Sequence, residues 1–251
     1  MLAIDINADL GEGMPDDEAL MVFLSSVNIA CGGHTGDESS MQKTVSSAKK
    51  NNLSIGAHPS FPDRKNFGRM DLIEKGFGYT ALSKSLAAQI LALEKVCSRH
   101  GAALKHVKPH GALYNRACVD HELALLISEM IREINPQLYM VGMSATEMEK
   151  AAAYSGLRFV REAFADRKYL SNGLLRPRSA GNALIENPDE AAEQALRLVQ
   201  QGIIMADTGE PVQIKADSIC IHGDGRNAVV TASKIHAALS ANGIMIKSAM
   251  G

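Results

Sequence analysis

His34, His58, His110 and His222, with Lys108 and the acids Asp5, Asp9, Glu12 and Asp224, all fall in or beside short apolar segments of the chain. Imidazoles and carboxylates brought together can activate water, move a proton or hold a divalent ion. A lysine among them can meet an anionic oxygen. Strand alternation shows which of them face the same way, because successive side chains point to opposite faces. In "AIDINAD", Asp5, Asn7 and Asp9 share one face while Ile4 and Ile6 share the other. In "LKHVKPH", His106, Lys108 and His110 lie together, and in "ICIHGD" Cys220, His222 and Asp224 oppose Ile219 and Ile221. Ser54, Gly56 and His58 alternate in the same way with Leu53, Ile55 and Ala57.

Inward charges on this scale need an explanation. Burying one costs several kcal/mol even after relaxation, while a folded domain is stable by only about 5–15 kcal/mol. Partners, a metal or a watered pocket must be present. The plainer alternative is a polar core satisfied by its own hydrogen bonds, and each histidine taken singly is compatible with it.

The elements that hold these residues alternate from end to end. Apolar patterning predicts strands at 3–9, 27–31, 53–58, 104–110, 139–143, 158–164 and 218–223. Helices are predicted at 16–25, 38–51, 80–100, 120–134, 145–154, 188–201 and 227–242. The clearest of these carries Leu82, Leu86, Ile90, Leu93 and Cys97 along one face. Strands that alternate with helices imply parallel pairing. A sheet covered by helices on both faces would have near-continuous apolar strands, whereas these are polar on one face. A closed β/α barrel accommodates them, with apolar residues outward under the helices and the pocket at the C-terminal strand ends. His34, His58, His110 and His222 all sit at such ends.

Connections 59–79 and 166–187 are long, as lids and binding loops are, and both leave the same barrel face. The second carries Asp166, Arg167, Lys168, Arg176 and Arg178, which suit an anionic ligand or simple solvation. Residues 203–217 look like an added hairpin without an assigned role. "HGDGRNA" leads into the last helix, whose amides could meet phosphate. In "NIACGGHTGD", Gly32 and Gly33 permit a tight turn or a close backbone approach, with His34 expected to point into the shared cavity.

The 251 residues, without a Pro/Gly/Ser-rich linker or a sequence repeat, are read as one domain, 1–251. A net charge of −2 gives no reason to expect nucleic acid or an anionic membrane surface. Four scattered cysteines, with no CxxC pair, argue for free thiols and against a zinc ribbon. Without an apolar run near 18 residues or a signal-like N-terminus, a cytoplasmic location is expected. No GxxxxGK[ST] occurs, so a P-loop is absent.

Taken in order, "DINADLGEG", "NIACGGHTGD", "IGAHPSFPD", "FGR", "VKPHGALYN", "EAFADRKY" and "IHGD" resemble the LamB/YcsF family of 5-oxoprolinase A subunits, over essentially the whole chain. Family members typically carry a bulky residue where this chain has Gly33, and commonly a glycine where it has Asn66. The resemblance implies a β/α barrel, apparently seven-stranded and related to glycoside hydrolase/deacetylase barrels. It further implies ATP-dependent opening of 5-oxoproline to glutamate together with subunits B and C. ATP, with Mg²⁺, is then a cosubstrate, and no organic prosthetic group is expected. By residue chemistry, Lys108 is the candidate cation for phosphate, and Asp9, His34, His58 and His110 are candidates for the base or for positioning. Asp5, Asn7, Glu12, Asn28, Glu162, Asp166, Arg167, His222 and Asp224 are the candidate substrate-binding residues.

Two other readings remain open on the sequence. In a metal-dependent deacetylase or amidohydrolase, Asp9, His34 and His58 would hold the ion, although an HxxxH pair is absent. A non-catalytic protein that binds 5-oxoproline for its partners would need the same inward charges.

Overall fold

The computed structural model describes residues 2–223, 225 and 227–251. Six parallel strands follow one another around a barrel: β1 (Ala3–Leu10), β2 (Ser26–Ala30), β3 (Ser54–His58), β4 (Leu104–Val107), β5 (Tyr139–Met143) and β6 (Arg158–Phe164). After them come an antiparallel hairpin, β7 (Ile203–Met205) with β8 (Pro211–Gln213), and then β9 (Ser218–Ile221). Strand β9 pairs in parallel with both β6 and β1, through Glu162↔Ser218 and Asn7↔Cys220, and so closes a seven-stranded barrel. A two-residue strand, β10 (Met245–Ile246), pairs with the start of β1. The C-terminal tail then brings Met250 against Val141 and Val160.

The helices are α1 (Asp17–Met21), α2 (Glu38–Lys50), α3 (Tyr79–Arg99), α4 (Gly111–Ala117), α5 (His121–Ile134), α6 (Glu147–Ser155), α7 (Pro188–Gln201) and α8 (Ala228–Ala241). Their ends follow the sequence. Asp37 accepts from the Ser40 amide to cap α2, Asn187 and Pro188 open α7, and Gly202 closes it in the left-handed conformation. The apolar stripe of α3 is buried, as its spacing requires. Among the described residues no helix is long and apolar enough to cross a membrane.

Two boundaries differ from the sequence reading in a way that matters. The strand expected over 104–110 leaves the ladder after Val107, and α4 begins directly after His110. The "KPHG" turn residues hide a helix of seven residues, too short to show a helical period. Helix α1 is also shorter than the expected 16–25.

Inside the barrel the polar faces stack in layers along β1. Deepest is Asp5, which accepts from Ser25 at 2.6 Å, from Ser26 at 2.8 Å and from Ser218. Burial raises its pKa, against those three hydroxyls. Next, the Asn7 amide donates to Glu162 and Ser218 and its oxygen accepts from Asn28 at 2.8 Å. Asn28 in turn accepts from His106 at 2.8 Å, and burial pushes the His106 imidazole down to about 3, so it is neutral. Gly56 makes room for that ring, because a Cβ there would lie 2.1 Å from His106 Nε2. Gly56→Ala is therefore expected to destabilise the fold by about 1–3 kcal/mol through overpacking. Urea unfolding followed by circular dichroism would show it as a lower midpoint, whereas an unchanged midpoint would mean that His106 relaxes freely.

Both long loops emerge at the C-terminal ends of the strands. The loop after β3 lies on α4, with Gly68 O accepting from Ala112 N at 3.0 Å. The loop after β6 is held from two sides. Gln194 of α7 donates to the carbonyls of Phe164, Ala165 and Arg167 at 2.9–3.1 Å. From the hairpin, Asp207 N donates to Tyr169 O, and the Asp207 carboxylate accepts from Arg176. The hairpin thus braces a loop of the barrel mouth.

Candidate active site

Asp9, the last inward acid of β1, stands at the floor of the mouth. One carboxylate oxygen accepts from Lys108 Nζ at 2.9 Å and from Asn28 at 2.9 Å, and the other lies 3.3 Å from His58 Nε2. Burial alone would raise the Asp9 pKa, but His58 and Lys108 hold the carboxyl well below its usual range. Lys108 also meets Glu162 at 2.8 Å and Cys220 Sγ at 3.1 Å. Burial disfavours its ammonium, yet the Asp9 charge, together with Cys220 and Glu162, keeps its pKa well above normal. Tyr114 of α4 donates to the second Glu162 oxygen at 3.0 Å, which orients that carboxylate.

Beside this pair stands a group of three imidazoles. His58 Nε2 and His110 Nδ1 are 2.9 Å apart, and Glu12 Oε1 lies 3.9 Å from the first and 3.5 Å from the second. His34 Nε2 meets Glu12 at 2.9 Å, and its ring stacks on His110 with centroids 3.7 Å apart. Burial, reinforced by the neighbouring imidazoles, lowers the His110 pKa well below normal, and burial lowers that of His34 against the pull of Glu12. Donor atoms of Asp9, His58 and His110 lie within 4.8 Å of one another, as do those of Glu12, His34 and His110.

A cavity of about 680 Å³ opens above this floor. Of the residues expected from sequence, Asp9, Glu12, His58, Lys108, His110, Arg167 and His222 stand on its wall. Asp5, Asn7, Asn28 and Glu162 do not; they are sealed beneath it and hold the floor in place. Asp166 is also off the wall, with its carboxylate accepting from the His222 amide at 2.8 Å and lying 2.9 Å from Nδ1. His34 points inward as expected, 1% exposed, but it lies behind Glu12 and His110 and not on the wall. Asp224 lies outside the described residues, as does part of "HGDGRNA". Lys108, expected to meet phosphate, is already held between two carboxylates, so an incoming anion would have to displace one of them. Arg167, Arg176 and Arg178 also stand on the wall, Arg167 buried and donating to the carbonyls of Ala183 and Arg176, and Arg176 paired with Asp207.

The sequence profile of the LamB/YcsF family matches residues 4–251. The chain belongs to the LamB/YcsF family. It is 43% identical over 250 residues to a Histophilus somni protein named as the A subunit of 5-oxoprolinase, covering the full length of both. It is also 43% identical to the Haemophilus influenzae protein of that name, covering 98% of this chain and 99% of that one. The crystal structure of a lactam utilization protein from Thermus thermophilus superposes with a TM-score of 0.91 at 37% identity, covering 98% of this chain and 99% of the other.

Within this LamB/YcsF chain the "CGGH" stretch has a packing reason. Gly32 adopts φ +102° and its amide donates to Thr35 O at 2.8 Å, which makes the turn. A Cβ on Gly33 would lie 2.4 Å from both Gln89 Oε1 and Ser60 Oγ. The bare position lets Gln89 of α3 clamp both backbone groups of Ser60 at 3.0 Å, next to His58. Cys31 is buried and its thiol is pushed up to about 12 by burial, so it is not a thiolate nucleophile. Sequence reasoning misses Tyr114, Phe67 and Gln89. Tyr114 is within its reach, since it follows His110 by four positions and a helix opening at that residue places both on one face.

Proposed function

We propose that this chain is the A subunit of a 5-oxoprolinase and opens the lactam of 5-oxoproline to glutamate at its barrel mouth. The observation that carries the reading is the convergence of Asp9, His58, Lys108 and His110 on the floor of a cavity whose upper wall bears Arg167, Arg176 and Arg178. Full-length likeness to chains named as A subunits of 5-oxoprolinase supplies the substrate. B and C subunits are the partners that such a name implies, and the cytoplasm, where ATP is abundant, is the compartment.

The chemistry fits the residues. Amide resonance, which underlies the ~18–20 kcal/mol rotational barrier of a peptide bond, also protects the lactam carbon from water. Transfer of the ATP γ-phosphoryl group to the lactam oxygen, with Mg²⁺ on the phosphates, removes that resonance and leaves ADP. Water then adds to the carbon and the ring C–N bond breaks with a proton passing to the nitrogen, leaving an acyl phosphate that a second water cleaves to glutamate and phosphate. The arginines meet the anionic groups, namely the substrate carboxylate and the phosphates. The basic nitrogens of His58 and His110 accept the proton of the water, and Asp9 stabilises the imidazolium that results. A cavity of about 680 Å³ is much larger than one small lactam and leaves space for the phosphates.

Calorimetric titration tests the reading. 5-Oxoproline should bind, 2-pyrrolidinone, which lacks the carboxylate, should bind at least tenfold more weakly, and Arg167→Ala should remove most of that preference. Equal affinity for the two lactams would contradict the assignment of the arginine wall.

A further inference from the structure

The hydrogen bonds of His58 and His110 fix which nitrogen of each ring meets a carbonyl and which faces the floor. His58 Nδ1 lies 2.7 Å from the carbonyl of Lys108, and His110 Nε2 lies 3.0 Å from the carbonyl of Phe67. A carbonyl oxygen can only accept, so both of these nitrogens carry hydrogen. The other two nitrogens, His58 Nε2 and His110 Nδ1, face each other at 2.9 Å, with carboxylate oxygens of Asp9 and Glu12 beside them. Donor atoms of two imidazoles and two carboxylates thus converge at one point of the floor, those of Asp9, His58 and His110 within 4.8 Å of one another.

We propose that this cluster is a binding site for one divalent transition-metal ion of the zinc class, held by Asp9 Oδ2, Glu12 Oε1, His58 Nε2 and His110 Nδ1. Separations of 2.9, 3.3, 3.5 and 3.9 Å among these atoms bracket the edge of about 3.3 Å expected for a tetrahedron of ligands about 2.0–2.1 Å from a central ion. Two imidazoles with two carboxylates suit zinc and its neighbours. Magnesium and calcium prefer all-oxygen shells, and copper(I) prefers sulfur. Of the thiols nearby, Cys220 faces Lys108 and Cys31 meets the backbone of His58, so both stand outside the donor set.

Three further features agree. Each liganding histidine donates its second N–H to a backbone carbonyl, the arrangement that fixes ring orientation in metal sites. His34 donates to Glu12 and orients that carboxylate in the same way. The Lys108 ammonium, shared between Asp9 and Glu162, balances only one of the three carboxylates Asp9, Glu12 and Glu162, and a divalent ion would balance the other two. His34 therefore supports a ligand and is not one itself, unlike in the set Asp9, His34 and His58 suggested by the sequence. All four donors also line the cavity, so a substrate oxygen or water could approach as a fifth ligand and be polarised there. This inference rests on the reading above in taking the barrel mouth as the working site. With the ion bound, however, His58 and His110 could not take the proton of the water, and water on the ion would lose it instead. The test needs no turnover, so the two fail separately.

The test is metal binding by the intact chain. Protein stripped with a chelator and dialysed into Co²⁺ or Zn²⁺ is expected to hold one equivalent by elemental analysis, with the intense visible bands of four-coordinate Co²⁺. Zn²⁺ should raise the thermal midpoint by mass action. His58→Ala and His110→Ala should each weaken binding by about a hundredfold or more, beyond the ~10–100-fold cost of losing a group that only orients a ligand. His121→Ala, in a surface pair with Glu147, should bind as the parent does. Folded parent protein that takes up less than a tenth of an equivalent at low micromolar metal would overturn the proposal. So would binding unchanged in both histidine variants. Should either variant misfold by circular dichroism, the titration of the parent chain decides alone.

Discussion

Lys108→Met is expected to cost about 3–5 kcal/mol of folding stability as well as activity, the scale seen when one partner of a buried ion pair is removed. The reason lies in the geometry of the floor. The ammonium is 2% exposed and lies 2.9 Å from Asp9 and 2.8 Å from Glu162, so methionine would leave two buried carboxylates facing each other without a cation. Adding Glu162→Gln to the variant should recover part of the loss, since one of the two uncompensated charges is then gone. Urea titrations of the parent, the single and the double variant measure both effects. A single variant as stable as the parent would mean that the floor is not organised around this ammonium.

Asp9→Asn keeps the size of the side chain and removes only its charge. Turnover is expected to fall by roughly 10²–10³, the loss typical when one electrostatic contact to a reacting centre is deleted. The amide oxygen can still accept from Lys108, whereas the amide NH₂ cannot stabilise an imidazolium at His58. Stability should change far less than in Lys108→Met, because the Lys108–Glu162 pair survives. Steady-state kinetics in the presence of the partner proteins, set beside the urea midpoint, separate the two effects. A kcat/KM within about twofold of the parent would remove Asp9 from the chemistry.

The barrel is legible in the sequence because one face of β1, β3, β4 and β9 is polar. Asp5, Asn7 and Asp9 on one face of β1, with Lys108 beyond β4 and Cys220 on β9, require an interior that water or partners can satisfy. Alternation gives the face of a strand but not the depth along the barrel axis. For that reason it groups Asp5 and Asn7 with the cavity wall, although they form its foundation. The partners of Lys108 are equally hidden. Glu162 reaches it from β6, and no local pattern in the sequence records a contact made across the barrel. The part played by α4 is lost to its length. Gly33 looks like part of a turn because the reason for it sits on α3, where Gln89 fills the space a side chain would need.

The proposed function has a direct test in glutamate formation from 5-oxoproline and ATP by this chain combined with its B and C subunits, run beside the same complex carrying His58→Ala. The account predicts one ADP per glutamate with the parent chain and glutamate formation reduced by at least two orders of magnitude with the variant. Glutamate formed at the parent rate by the variant complex, or no glutamate from the parent complex with all three chains folded, would contradict it.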